Sequence, residues 1–169
     1  VADKYLYNSA GTLTERAGLV TSAGAGDAGK IPALDGTGRL DNSVMPVGVA
    51  SSDTAQVTAS EALAAGDWVN IWNSTGAKAR KADAGAAGKE ADGFVIAAVS
   101  SSATATVYFE GTNTQVTGAT PGPVYLSATT PGQSTGTAPS GAGQVVQRLG
   151  VAVSATAINF ERGTAIVLA

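Results

Sequence analysis

Several stretches of this 169-residue chain carry residue types at spacings that could do chemistry. Gly24-Ala25-Gly26-Asp27-Ala28-Gly29 satisfies G-x-G-x-x-G, and with Lys30 it comes within one residue of a phosphate-binding P-loop. Both motifs need a helix that begins there and turns its first N–H groups toward the phosphate. Pro32 argues against such a helix, and Ile31 occupies the place of the Mg²⁺-binding Ser or Thr. The segment therefore reads as a flexible linker. Gly132-Gln133-Ser134-Thr135-Gly136 matches G-x-S-x-G, the nucleophile elbow, but that elbow needs a histidine base and the chain has no histidine.

Acidic residues Asp83, Glu90 and Asp92, and a second group of Asp35, Asp41 and Asn42, could gather around a cation. Neither group has the D-x-D-x-D-G order of a calcium loop, so they read as solvated turn residues. Carboxylates for glycoside hydrolysis could come from Glu61, Asp67, Glu90 or Glu110, because such pairs meet only in the fold. Lys78, Arg80 and Lys81 form the one basic cluster and read as a solvated strand face. Trp68 and Trp72 read as core or interface anchors.

Composition narrows the choice further. Cysteine and histidine are both absent, which removes disulfides, thiolate chemistry, Cys/His zinc sites and Ser-His-Asp nucleophiles. The expectation is a chain with no enzymatic activity, no cofactor and no metal. A net charge of −3 provides no basic face for phosphates, so no nucleic-acid partner is expected. No apolar run approaches the roughly 18 to 20 residues that cross a bilayer, and no signal-peptide order opens the chain, so no membrane partner is expected. Val1 reads as following a removed initiator Met. Hydrophobic residues make up 44%, but only 5% are aromatic, a thin core that favours burial between subunits.

The elements that would position these residues divide near Pro46. Residues 1–28 read as an extended N-terminal arm with turns at Asn8-Ser9-Ala10-Gly11 and Glu15-Arg16-Ala17-Gly18 and no core of its own. Residues 29–46 form a linker in which Ile31, Leu34, Leu40, Val44 and Met45 are interrupted by Pro32, Asp35-Gly36-Thr37-Gly38 and Pro46. Residues 47–169 read as a β-rich body of short β-branched runs punctuated by Gly and Pro. The spacing predicts strands at 56–58, 67–72, 77–82, 93–99, 104–110, 123–127, 144–154, 159–161 and 165–168. Val116 is read as a further short strand, 60–65 as one helical turn, and 129–143 as a long exposed loop. A bulge is expected at Gly150. The expected fold is all-β, a compact antiparallel β-sandwich or barrel, jelly-roll-like, carrying the arm and linker.

Gly29-Lys30-Ile31-Pro32-Ala33-Leu34-Asp35-Gly36-Thr37-Gly38-Arg39-Leu40-Asp41-Asn42-Ser43-Val44-Met45-Pro46 resembles the GKIxxLDxxGxLDxSxxP linker of bacteriophage fibre and head-decoration proteins. The stretch from Gly122-Pro123-Val124-Tyr125-Leu126-Ser127 through Pro131-Gly132 to Val145–Ala152 is similar to the β domain at the ends of such proteins. The resemblance implies a homotrimer with Ile31, Leu34, Leu40, Val44 and Met45 buried between copies. It also implies an attachment arm, for which Tyr5, Leu6, Tyr7, Leu13, Leu19 and Val20 are the expected contacts with a major capsid protein. The expected function is a capsid decoration, cement or head-fibre protein on the outer surface of the virion. The alternative is a short tail fibre or receptor-binding tip that contacts a host-surface glycan or receptor through loops 129–143 or 111–121. A carbohydrate-active β-sandwich is the third reading.

Overall fold

The computed structural model describes residues 4–45 and 53–169; Pro46 and Val47, where linker and body were expected to meet, lie outside them. The chain divides into two compact units, Val1–Ser51 and Ser52–Ala169. The first contains a two-stranded antiparallel sheet of β1 (Lys4–Ser9) and β2 (Thr12–Ala17), followed by two short 3-10 turns at Ala25–Asp27 and Asn42–Val44. The expected boundary at residue 28 falls inside this unit.

The second unit is all-β, with antiparallel sheets packed together. Strands β3 (Thr54–Ala59), β4 (Trp68–Asn73), β5 (Ala77–Lys81), β6 (Gly93–Phe94) and β7 (Thr104–Tyr108) pair in the order β3-β5-β4-β6-β7, and β7 returns to β3. One contact in this ring, β3 with β5, is parallel. The other sheet runs β10 (Ser134–Thr135), β9 (Gly122–Leu126), β11 (Val145–Ser154), β12 (Ala157–Phe160), β8 (Gly111–Asn113), with β13 (Ala165–Val167) also on β11. β11 is the spine of this sheet. Its start pairs with β13, its end with β12, and its middle and end with β9.

Strand periodicity explains how the two sheets share apolar residues. Successive side chains on β4 point to opposite faces, so Trp68 enters the core between ring and sheet while Val69 enters the interior of the ring. The shared core joins Trp68 and Phe94 to Val124, Leu126, Leu149, Ile158 and Phe160. Its aromatic rings meet edge to face, with Trp68 and Phe94 centroids 5.6 Å apart and Phe94 and Phe160 6.0 Å apart. Alanine fills the ring interior beside Val57, Leu63, Val95 and Val107, which shows how an alanine-rich chain closes a small curved sheet.

Four local expectations change. Residues 60–65 form no helical turn; Leu63 is buried and bridges Val99. The apolar run 93–99 is a strand only at Gly93–Phe94, where the backbones of Gly93 and Tyr108 approach so closely that a Cβ on Gly93 would meet the Tyr108 carbonyl. Ile96 to Ala98 lie beyond the strand and are exposed. Val116 is buried but lies outside any strand, and its neighbour Gly111–Asn113 pairs instead. The 129–143 stretch includes β10 and the buried Gly132, so it is partly woven into the sheet. The bulge foreseen at Gly150 is present, between Arg148 and Gly150.

Candidate functional site

The first unit is built on a tight hairpin. Ala10 and Gly11 occupy its two turn positions with φ of 51° and 92°, the left-handed pair that matches strand twist. The Gly11 N–H donates to Asn8 Oδ1 at 2.9 Å. An unbroken register from Lys4↔Ala17 to Ser9↔Thr12 then sorts the side chains by face. Tyr5, Tyr7, Thr14 and Arg16 share one face; Lys4, Leu6, Leu13 and Glu15 share the other. On the first, the Arg16 guanidinium lies 3.9 Å from the centre of the Tyr7 ring. On the second, Lys4 Nζ meets Glu15 Oε2 at 2.7 Å.

The rest of the unit folds back by backbone pairing. Leu19 N–H donates to the Ile31 carbonyl and Ala33 N–H to the Leu19 carbonyl, both at 2.9 Å. The Ile31 N–H donates to the Tyr5 hydroxyl at 3.4 Å. Between hairpin and linker lies an open groove of about 780 Å³, lined by Tyr5, Val20, Ile31, Pro32 and Leu34 among others.

Short polar turns hold the linker in shape. Asp35 Oδ1 accepts from the Thr37 N–H, the Thr37 hydroxyl and the Arg39 N–H, a turn that brings Leu34 and Leu40 onto its two stems. The Thr37 hydroxyl, followed by those backbone donors, holds the Asp35 carboxyl below its ordinary pKa. Asp41 caps the Asn42–Val44 turn through the Ser43 N–H at 2.9 Å, and the Ser43 bonds lower its pKa too. In the P-loop lookalike, Asp27 binds Lys30 and lowers its own pKa chiefly through that bond. Lys30 is thus engaged by Asp27, and the helix there spans only three residues.

The expected interaction residues all lie in this unit, and it leaves them uncovered. No described residue of the first unit is buried. Of the expected capsid contacts, Leu6 is 71% and Leu13 68% exposed, Tyr7 is exposed, and Tyr5, Leu19 and Val20 are half-buried. Of the expected trimer contacts, Ile31, Leu34 and Leu40 are exposed, while Val44 and Met45 are half-buried. Comparison with known proteins offers no precedent for this arrangement. No family model, curated protein or solved structure matches the chain.

In the body, the polar residues singled out from sequence hold the fold together. Asp92 accepts from the Ile71 N–H at 2.7 Å and pairs with Arg162 at 2.6 Å. Asp83 pairs with Lys89, and Glu90 accepts from the Gly88 N–H. Glu61 accepts from the Lys81 N–H, while Asp67 is buried and pairs with Lys81 at 3.5 Å. Arg80 lies over Trp72 and donates to Asn70 Oδ1 and the Gly88 carbonyl. The Glu90–Asp92–Arg162 cleft, about 420 Å³, is floored by the buried Gln147, whose amide is matched to both backbone groups of Ala91. Sequence reasoning missed Gln147 and Asn113, since a buried amide paired with backbone has no local signature.

Proposed function

We propose that this chain is a structural component of a bacteriophage particle, a capsid decoration protein without enzymatic activity whose first unit attaches to the major capsid protein while the body projects. The observation that carries this reading is the contrast between the two units. The body buries most of its large apolar residues in two clusters, with Ile96, Val153, Ile166 and Val167 exposed, whereas the first unit orders its backbone around turns, buries none of its described residues and leaves Leu6, Leu13, Ile31, Leu34 and Leu40 exposed. A small unit in which no described residue is buried gains little from folding alone and gains most by covering those side chains against neighbours. Capsid subunits, and symmetry-related copies of this chain in a homotrimer, supply that cover. The resemblance of residues 29–46 to phage fibre and head-decoration linkers supports the same assignment.

Imaging of intact particles with a label on the C-terminus tests the reading. Labels distributed over the outer surface of the head agree with it. Labels confined to the tail tip, together with binding of the purified protein to host cells, contradict it in favour of a receptor-binding role.

A further inference from the structure

The edges of the β1–β2 hairpin extend this reading to how copies meet. In an antiparallel ladder closed by a two-residue turn, the pair beside the turn exchanges both backbone hydrogen bonds, and pairs alternate from there. Ser9 and Thr12 are that pair. It follows that Lys4, Leu6 and Asn8 on β1, and Leu13, Glu15 and Ala17 on β2, turn their backbone N–H and C=O groups away from the hairpin. These residues also form the face that carries the exposed Leu6 and Leu13. Neither outer edge has a strand partner among the described residues. Neither is blunted by a proline or a bulge; the one charge on each edge, Lys4 on β1 and Glu15 on β2, is the protection present. The opposite face is already engaged, through Tyr5 with Ile31 and Arg16 with Tyr7.

We propose that β1 of one copy pairs antiparallel with β2 of the next, so that hairpins from several copies close into one up-and-down ring with Leu6 and Leu13 inside. The occupant of each edge is a second copy of this chain because the two edges complement each other. The β1 edge carries Lys4 and the β2 edge carries Glu15, which already meet within one hairpin. Repeating the hairpin's register across the joint sets Lys4 of each copy near Glu15 of the next. Pairing two β2 edges antiparallel would set Glu15 against Glu15, and pairing two β1 edges would set Lys4 against Asn8, so neither like pairing brings opposite charges together. A contact that uses different strands on its two sides is heterologous and ends when the ring closes, which removes every free edge. The inference rests on the self-association part of the proposed function and moves Leu6 and Leu13 from the expected capsid contacts to the joint between copies, leaving Tyr5, Tyr7, Leu19 and Val20 for the capsid; self-association and capsid binding are read by different measurements.

Two experiments on the full chain test it. In sedimentation, the wild type is expected to run as a closed oligomer. Glu15→Pro, which deletes an outward N–H and keeps both leucines, is expected to shift it to monomer. Because the chain has no cysteine, a mixture of Leu6→Cys and Glu15→Cys copies is expected to give a disulfide-linked heterodimer on oxidation. Random collision gives both homodimers and the heterodimer in the statistical ratio, so the joint is read as an excess of heterodimer over that ratio, and this readout does not depend on how well the proline variant folds. A wild-type monomer, or heterodimer at no more than the statistical ratio, overturns the proposal.

Discussion

The side-chain amide of Gln133 donates to Asp67 Oδ1 at 3.0 Å across 66 residues of chain, tying the start of β4 to the segment just before β10. Asp67 also accepts from the Ala64 N–H at 2.8 Å, while Gly132 packs directly against its carboxylate. One buried side chain thus fastens the ring to the other sheet. Losing hydrogen bonds to a charged group costs about 1.5–3 kcal/mol each. With two such bonds lost, Asp67→Ala is expected to destabilise the body by about 3–6 kcal/mol on that scale, with Asp67→Asn costing less. Urea unfolding followed by tryptophan fluorescence measures both.

Gly150 marks the bulge in β11. Its φ is +132°, and a Cβ there would overlap the Asn159 carbonyl on β12. Backbone cannot yield as a flexible side chain can, so Gly150→Ala is expected to cost about 3 kcal/mol, near the upper end for overpacking. A lowered urea midpoint checks this, and an unchanged midpoint contradicts the close approach.

Much of this architecture is legible in the sequence for a physical reason. Alternation in Trp68-Val69-Asn70-Ile71-Trp72 and the turn at Asn73–Gly76 specify β4, its hairpin partner β5 and the two faces of β4. The apolar run 93–99 misleads because continuity alone cannot reveal that the strand ends at Phe94 and leaves Ile96 to Ala98 exposed. Likewise Ser60–Ala65 has helical composition, but Leu63 is drawn into the ring by its bridge to Val99. In the first unit, the turn residues Ala10-Gly11 and Asp35–Gly38 are visible as turns. The return of residue 19 onto residues 31 and 33 is not, since long-range backbone pairing leaves no periodic mark. The apolar side chains of the first unit are legible as residues in need of cover, and the hairpin sorts Tyr5 and Tyr7 onto one face and Leu6 and Leu13 onto the other.

Asp35 gives the linker a pH dependence. Its folded carboxyl has a lowered pKa, so the turn's stabilisation is present above the unfolded value and is lost as pH falls through the lower, folded value. The amides of Thr37 and Arg39 are expected to stay protected at pH 6 and to lose protection only below about pH 4, where an unperturbed Asp titrates. NMR titration of these amides measures it. An Asp35 midpoint at or above that of a model peptide contradicts the assignment.

Leu34 and Leu40 stand on the two stems of that turn, 59% and 44% exposed. If copies cover them, replacing both with aspartate is expected to weaken self-association about tenfold or more, since each buried leucine contributes about 1.5–3 kcal/mol. Analytical ultracentrifugation over a concentration series reads the change. Unaltered assembly moves the main contacts elsewhere.

The division of labour between the two units is tested most directly by removing residues 1–28 and measuring binding to capsids that lack the protein. The account predicts that the shortened chain remains soluble with a folded body, shown by unchanged near-ultraviolet circular dichroism from Trp68 and Trp72, and no longer sediments with capsids. Full capsid affinity in the shortened chain would contradict it.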